Sequence, residues 1–144
     1  MERIIREAVL ADCSAITRLN REEMGYDYPQ EKTFVKLQAC LANPAHRIFV
    51  VEWEGEVVGY LHLEEYDVLY AGHMVNVLGI AVSSAWRRQG VGRALLSAGE
   101  AWARSKGAVA VRLVSGEARK GAHAFYQSLG YTGNKLQRNF KKPL

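Results

Sequence analysis

The sequence predicts a single α/β domain spanning residues 1–144, built on a mixed central sheet of about six to seven strands flanked by about four helices. Three observations predict it. The apolar period switches between two and about 3.6 residues several times along the chain, as alternating strands and helices require. Glycine or proline stands at most of the switches. A chain of 144 residues builds one hydrophobic core and leaves little length for a second.

In order, RIIREAV (Arg3–Val9) alternates as a first strand. From Asp12 the pattern turns helical, with Cys13, Ile16 and Leu19 on one face and Asp12 suited to the first turn. GYDYPQ (Gly25–Gln30) breaks that helix. A second helix presents Phe34, Leu37 and Leu41 inward and stops at Asn43–Pro44. RIFVVEW (Arg47–Trp53), a tight turn at Glu54–Gly55 and EVVGYLHLEEY (Glu56–Tyr66) read as a hairpin. HMVNVLGIAV (His73–Val82) is apolar on both faces near its end, as a central strand is.

After Gly90, the residues Val91, Ala94, Leu95, Ala98, Ala101 and Trp102 form a helical stripe that ends at Lys106–Gly107. AVAVRLV (Ala108–Val114) is a further strand, so His73–Val114 forms a parallel strand–helix–strand crossover. The last helix carries Ala122, Phe125, Tyr126 and Leu129 on one face and stops at Gly130. The tail from Tyr131 to Leu144 supplies one or two short strands. No internal repeat or linker interrupts this order.

Apolar residues make up 49% and charged residues 24%, the balance of an ordinary globular domain. MERIIREAVL at the start has no long apolar run and no cleavage pattern, and no span is evident, so a cytoplasmic protein without a membrane partner is expected. Cys13 and Cys40 have no CxxC spacing and no nearby His pair, so they read as reduced core thiols, with no metal site expected. The net charge of +4 leaves nucleic acid, anionic lipid and phosphorylated small molecules open. The basic residues concentrate loosely from Arg87 to Lys120 and in KLQRNFKKPL, without the aromatic interleaving of a nucleic-acid platform. A basic pocket for an anionic cofactor fits better, and no nucleic-acid partner is expected.

WRRQGVGRALL (Trp86–Leu96) is the most informative stretch. The first N–H groups of a helix lack internal acceptors and carry partial positive charge, so an anion placed there gains several hydrogen bonds. Glycine lets backbone approach closely. Gly90 and Gly92 before an apolar helix therefore describe a phosphate cradle, with Arg87, Arg88 and Arg93 adding charge; a mere turn is the alternative. Leu95 stands where a dinucleotide fingerprint needs its third glycine, and no G-K-[ST] follows, so neither a Rossmann site nor a P-loop fits.

IAVSSAWRRQGVGRALL (Ile80–Leu96) resembles the signature of the GNAT superfamily of N-acetyltransferases, an apolar strand end followed by [RQ]-x-x-G-x-[GA] opening a helix, with Arg87, Gly90 and Gly92 in register. AHAFYQSLGY (Ala122–Tyr131) resembles the family's A-x-x-[FL]-Y-x-x-x-G-[FY] segment. The resemblance is strongest over Ile80–Tyr131, while before Arg47 only the element order supports it. It implies a GNAT-like fold and acetyl-coenzyme A as co-substrate. The N–H groups of Arg88, Gln89, Gly90, Val91, Gly92 and Arg93 would hold the pyrophosphate. Ile80, Ala81 and Val82 would pair with the pantetheine arm, their strand splaying from its neighbour after Val109. An N–H near Val82 would polarise the acetyl carbonyl.

The resemblance makes Tyr126 the general acid that protonates the leaving thiolate; packing on its apolar stripe is the competing role. Arg119 stands where many relatives carry an asparagine that contacts the coenzyme, and it either reaches a phosphate or points to solvent. The strand VNVLGIAV lacks the carboxylate that many relatives use as base. His73 and Glu64–Glu65 are the nearest titratable groups, and a water chain serves equally.

The acceptor would be a primary amine of a small molecule or peptide. Glu22, Glu23, Tyr26, Asp27 and Tyr28 in REEMGYDYP, with Glu65 and His73, are the candidate contacts, through charge and cation–π attraction; a solvated loop is the alternative. A catalytically silent coenzyme-binding sensor of the same fold is the second reading. The resemblance also implies a homodimer, although the tail offers no clear apolar interface.

Overall fold

The computed structural model describes residues 3–116, 118–133 and 135–144. They form two compact units, residues 1–113 and 114–144. The first holds β1 (Arg3–Glu7), α1 (Cys13–Met24), α2 (Gln30–Leu41), β2 (His46–Trp53), β3 (Glu56–Tyr66), β4 (Met74–Val82), α3 (Val91–Ser105) and β5 (Ala110–Arg112). The second holds α4 (Lys120–Ser128).

The sheet has five strands in the order β1-β2-β3-β4-β5, not the six to seven expected. The missing strands are those assigned to the tail: among the described residues of 131–144 none is in a strand, and position 134 lies outside the described residues. The physical reason is burial. Leu136 is 81% exposed and Phe140 is 85% exposed, so the tail has no apolar face to lay on a sheet. The expected strand Ala108–Val114 is also shorter, with Val114 exposed beyond its end.

The hairpin and the crossover form as the pattern predicts. β2 and β3 pair antiparallel, β3 and β4 likewise, and β4 and β5 run parallel from Met74↔Ala110. The pleat divides the core in two. On one face Ile48, Val50, Tyr60 and Ala81 meet Cys13, Ile16 and Leu19 of α1 and Leu37 of α2. On the other, α3 packs on β2, β3 and β4. There a Cβ on Gly99 would lie 2.8 Å from a Leu61 methyl and 3.2 Å from a Leu63 methyl, so glycine lets the helix sit directly on the sheet. The buried stripe of α3 is accordingly Val91, Leu95, Leu96, Gly99, Trp102 and Ala103, rotated from the expected one, and Ala101 is exposed. In α2 the inward residues are Thr33 and Leu37, with Cys40 and Leu41 half-buried; Phe34 lies off that stripe and is 40% exposed.

Asp12 is buried at the turn between β1 and α1. Arg6 forms two hydrogen bonds to its carboxylate, at 2.8 and 2.9 Å, and Val9 N–H donates a third at 2.8 Å. Burial raises the carboxyl's pKa, but these donors outweigh it and hold Asp12 below the ordinary carboxylate value. Both cysteines are free thiols, Cys13 buried as expected and Cys40 half-buried. The absence of a His pair holds along the chain but not in space, because the fold brings His46 and His62 to Cys40.

Candidate functional site

β5 covers only the start of β4. The ladder runs through Asn76↔Arg112, where the Arg112 guanidinium donates to Asn76 Oδ1 at 2.8 Å. Among the described residues, no strand pairs with that edge of β4 from Val77 to Val82. The divergence thus begins later than the expected Val109, whose N–H still donates to His73 O at 2.8 Å. Ile80, Ala81 and Val82 lie on the free edge, as expected of a strand that pairs with an added extended chain.

The same strand carries a bulge. Val77 pairs with Leu63 and Gly79 with His62, which leaves Leu78 without an opposite residue on β3. A bulge frees one residue from the ladder and re-aims its neighbours. Gly79 beside it lies next to the Tyr60 ring: a Cβ there would stand in ordinary contact, 3.4 Å from the Tyr60 hydroxyl oxygen. That hydroxyl donates to Asn20 Oδ1. Burial pushes the Tyr60 pKa up to about 12, so the phenol stays protonated at neutral pH.

Beyond Val82 a short 3-10 turn, Ser84–Trp86, leads into the glycine loop. Arg88 has φ 62° and Gly90 φ 80°, so the backbone turns twice through the left-handed region before α3 starts. No side chain caps α3, and its first internal hydrogen bond runs from Ala94 N to Gly90 O. The N–H groups of Val91, Gly92 and Arg93 therefore precede any internal acceptor. Arg88, Gln89, Gly90 and Arg93 are exposed.

Three long-range supports hold this loop, and sequence reasoning missed all three in this role. Glu23, nearly buried at the end of α1, accepts from Ser84 N–H at 3.0 Å and from the Arg87 guanidinium at 2.8 Å. Arg3 donates to Gln89 O at 3.0 Å. Trp86 stacks on Trp53 at 4.8 Å, with Arg3 over the Trp53 ring. Arg87 is thus engaged in holding the loop, and the added positive charge falls to Arg88 and Arg93.

The other predicted residues separate into groups. Glu22, Tyr26 and Asp27 are exposed at the exit of α1, where Gly25 at φ 74° ends the helix; Glu22 lies 4.0 Å from Arg18. His73 sits before β4, between Asp67 at 2.7 Å and Glu65 at 2.9 Å, with Lys106 3.8 Å from Glu65. The Asp67 hydrogen bond, opposed by desolvation and joined by Glu65, raises the His73 pKa. Five residues separate His73 from Leu78, about 16 Å along a strand. Glu65 pairs with Val75, three residues before Leu78.

Arg119 and Tyr126 belong to the second unit. Arg119 is exposed and precedes α4. Tyr126 is buried, its ring beside Phe125 and Tyr131, and its carbonyl accepts from Tyr131 N–H. Burial, partly opposed by the Arg119 charge, raises its pKa and keeps the phenol protonated.

Comparison with known proteins bears on the family and the fold. A model of the acetyltransferase (GNAT) family matches residues 13–131. Aminoglycoside N(6')-acetyltransferase type 1 of Klebsiella aerogenes is 32% identical over 75% of this chain and 73% of that protein. N-alpha-acetyltransferase of Sulfurisphaera tokodaii is 32% identical over 94% of this chain and 84% of that protein. Among solved structures, the aminoglycoside N-acetyltransferase AAC(6')-Iy in complex with CoA shares the fold, with a TM-score of 0.89 at 17% identity over 99% of this chain and 96% of that one. No helix among the described residues is long and apolar enough to cross a membrane.

Proposed function

The chain belongs to the GNAT acetyltransferase family and is an acyltransferase, and from that premise we propose that it moves an acetyl group from acetyl-coenzyme A to a primary amine of a small molecule or peptide. Residues 1–144 act as one domain in this reading, supported by a family match that runs across both compact units.

The observation that carries the reading is the free edge of β4, which begins at Val77 and leads through the Ser84 turn to the uncapped start of α3. An anion at that helix start gains the N–H groups of Val91, Gly92 and Arg93 together with the helix dipole. An extended arm leaving it runs back along Val82, Ala81 and Ile80 as an added strand. Its reactive end then arrives at the bulge, so the N–H that polarises the acetyl carbonyl is assigned near Leu78 and not near Val82.

The free amine nitrogen attacks the carbonyl carbon, the carbon–sulfur bond breaks, the departing sulfur takes the Tyr126 proton, and the proton that the new amide nitrogen sheds passes to solvent, which reprotonates Tyr126. That role for Tyr126 rests on the family resemblance and on a phenol held protonated. Before it attacks, the substrate ammonium loses its first proton to water, with no side chain assigned as base. Glu22, Tyr26 and Asp27 would draw a cationic amine to the exit of α1. The names of the relatives make aminoglycosides and peptide N-termini the first acceptors to try.

Release of free thiol from acetyl-coenzyme A tests this, over a panel of aminoglycosides, polyamines, amino acids and short peptides. Thiol release that depends on a primary amine is expected. Release with hydroxyl compounds alone, or with none of the panel, contradicts it.

A further inference from the structure

Away from the β4 edge, three side chains with metal-ligating atoms converge from three elements. Cys40 lies in the last turn of α2, His46 opens β2 and His62 is in the middle of β3. One ligand atom from each lies within 4.8 Å of both others, and all three residues are half-buried. The two imidazoles approach through His46 Nδ1 and His62 Nε2 at 2.9 Å.

The backbone makes this convergence rigid. His46 pairs with Glu64 and Ile48 with His62, so the two histidines are diagonal neighbours on one face of the β2–β3 ladder. β3 is paired on both sides at His62. The link from α2 to β2 is tied by Asn43 N–H to Cys40 O at 3.1 Å, His46 N–H to Asn43 O at 3.0 Å and Ala45 N–H to Asn43 Oδ1 at 3.0 Å. Glu64 stands outside the trio, with a carboxylate oxygen 3.9 Å from His46 Nε2, the nitrogen that faces away from His62.

We propose that Cys40 Sγ, His46 Nδ1 and His62 Nε2 form a zinc site that ties the end of α2 to β2 and β3. One thiolate and two imidazoles are the donor set of a borderline-soft divalent ion, and three protein ligands leave a fourth position for water or Glu64. With Zn–N about 2.0 Å and Zn–S about 2.3 Å, ligand atoms of a tetrahedral site stand roughly 3.3–3.6 Å apart, so closure needs shifts on the order of 1 Å. With water in the fourth position, Glu64, 3.9 Å from the far nitrogen of His46, is placed to accept from it as outer carboxylates do for metal-bound imidazoles. Binding exchanges the Cys40 S–H bond for a Zn–S bond and releases one proton to solvent. The site is independent of the acetyl-transfer reading.

Cobalt(II) is the probe. Chelator-treated protein titrated with cobalt should develop a thiolate-to-cobalt charge-transfer band that saturates at one equivalent and is displaced by one equivalent of zinc. Zinc should also raise the melting temperature. Cys40→Ser should abolish the band and weaken zinc binding at least tenfold, and Cys13→Ser should leave both unchanged. His46→Gln, at a strand start, gives the same test if Cys40→Ser does not fold, and should weaken binding by a similar factor. No band in the wild type, or a band that survives in Cys40→Ser or tight zinc binding that survives in His46→Gln, overturns the site.

Discussion

Tyr126 is buried among rings and yet carries a polar atom, a combination that serves either packing or proton donation. Tyr126→Phe keeps the ring and removes only the proton. Turnover should fall by roughly a hundredfold, the scale of a lost general acid, while acetyl-coenzyme A affinity is unchanged. Unchanged turnover in steady-state kinetics would return Tyr126 to the core. Asp12 is the acid-sensitive residue of the fold. Its folded pKa is lowered, so its contribution is fully present above the ordinary carboxylate value and is lost as pH falls through the folded one. Stability of the wild type should therefore drop below about pH 4, and Asp12→Asn should be destabilised at pH 7 by about 2 kcal/mol and show a flatter acid limb. Urea unfolding of both proteins at several pH values measures it.

At the scale of elements, the start of α3 is set by glycine in β3. A Cβ on Gly59 would meet Val91 Cγ1 at 2.9 Å, the Ala81 carbonyl oxygen at 3.1 Å and Leu95 Cδ1 at 3.3 Å. The carbonyl belongs to the ladder and cannot yield, so α3 must lift at its first turn. Gly59→Ala should cost about 1–3 kcal/mol in thermal or urea unfolding and weaken coenzyme binding as well, because the same turn carries the uncapped N–H groups proposed to hold the phosphate. A stable variant with normal affinity would show that this packing does not set the loop. The loop's other supports show why sequence spacing reveals only part of a site. Gly90 before a helical stripe is a local signal and is legible. Glu23 and Arg3 reach the loop from 61 to 86 residues away, and no local pattern announces such partners. The bulge at Leu78 had one local sign, Gly79 inside an apolar strand.

Across the whole molecule, the order of strands and helices up to Arg112 follows from the apolar period, because the helices and the three inner strands each bury a face, while the edge strands β1 and β5 follow from alternation and from the crossover. The tail misled for the opposite reason: its apolar residues Leu136, Phe140 and Leu144 bury almost nothing, so their presence carried no structural meaning. The Cys40–His46–His62 cluster was hidden because it forms only when a helix end and two strands meet. The net charge of +4 acts at this scale too. Attraction of a polyanionic coenzyme to a basic loop weakens as salt screens it, so affinity should fall with ionic strength.

The most direct measurement is calorimetric titration of the protein with acetyl-coenzyme A, beside Gly92→Val. Saturable one-to-one binding is expected in the wild type and at least tenfold weaker binding in the variant, whose side chain would stand at the proposed phosphate position at the start of α3. No binding at millimolar coenzyme, or equal affinity in the two proteins, would contradict it.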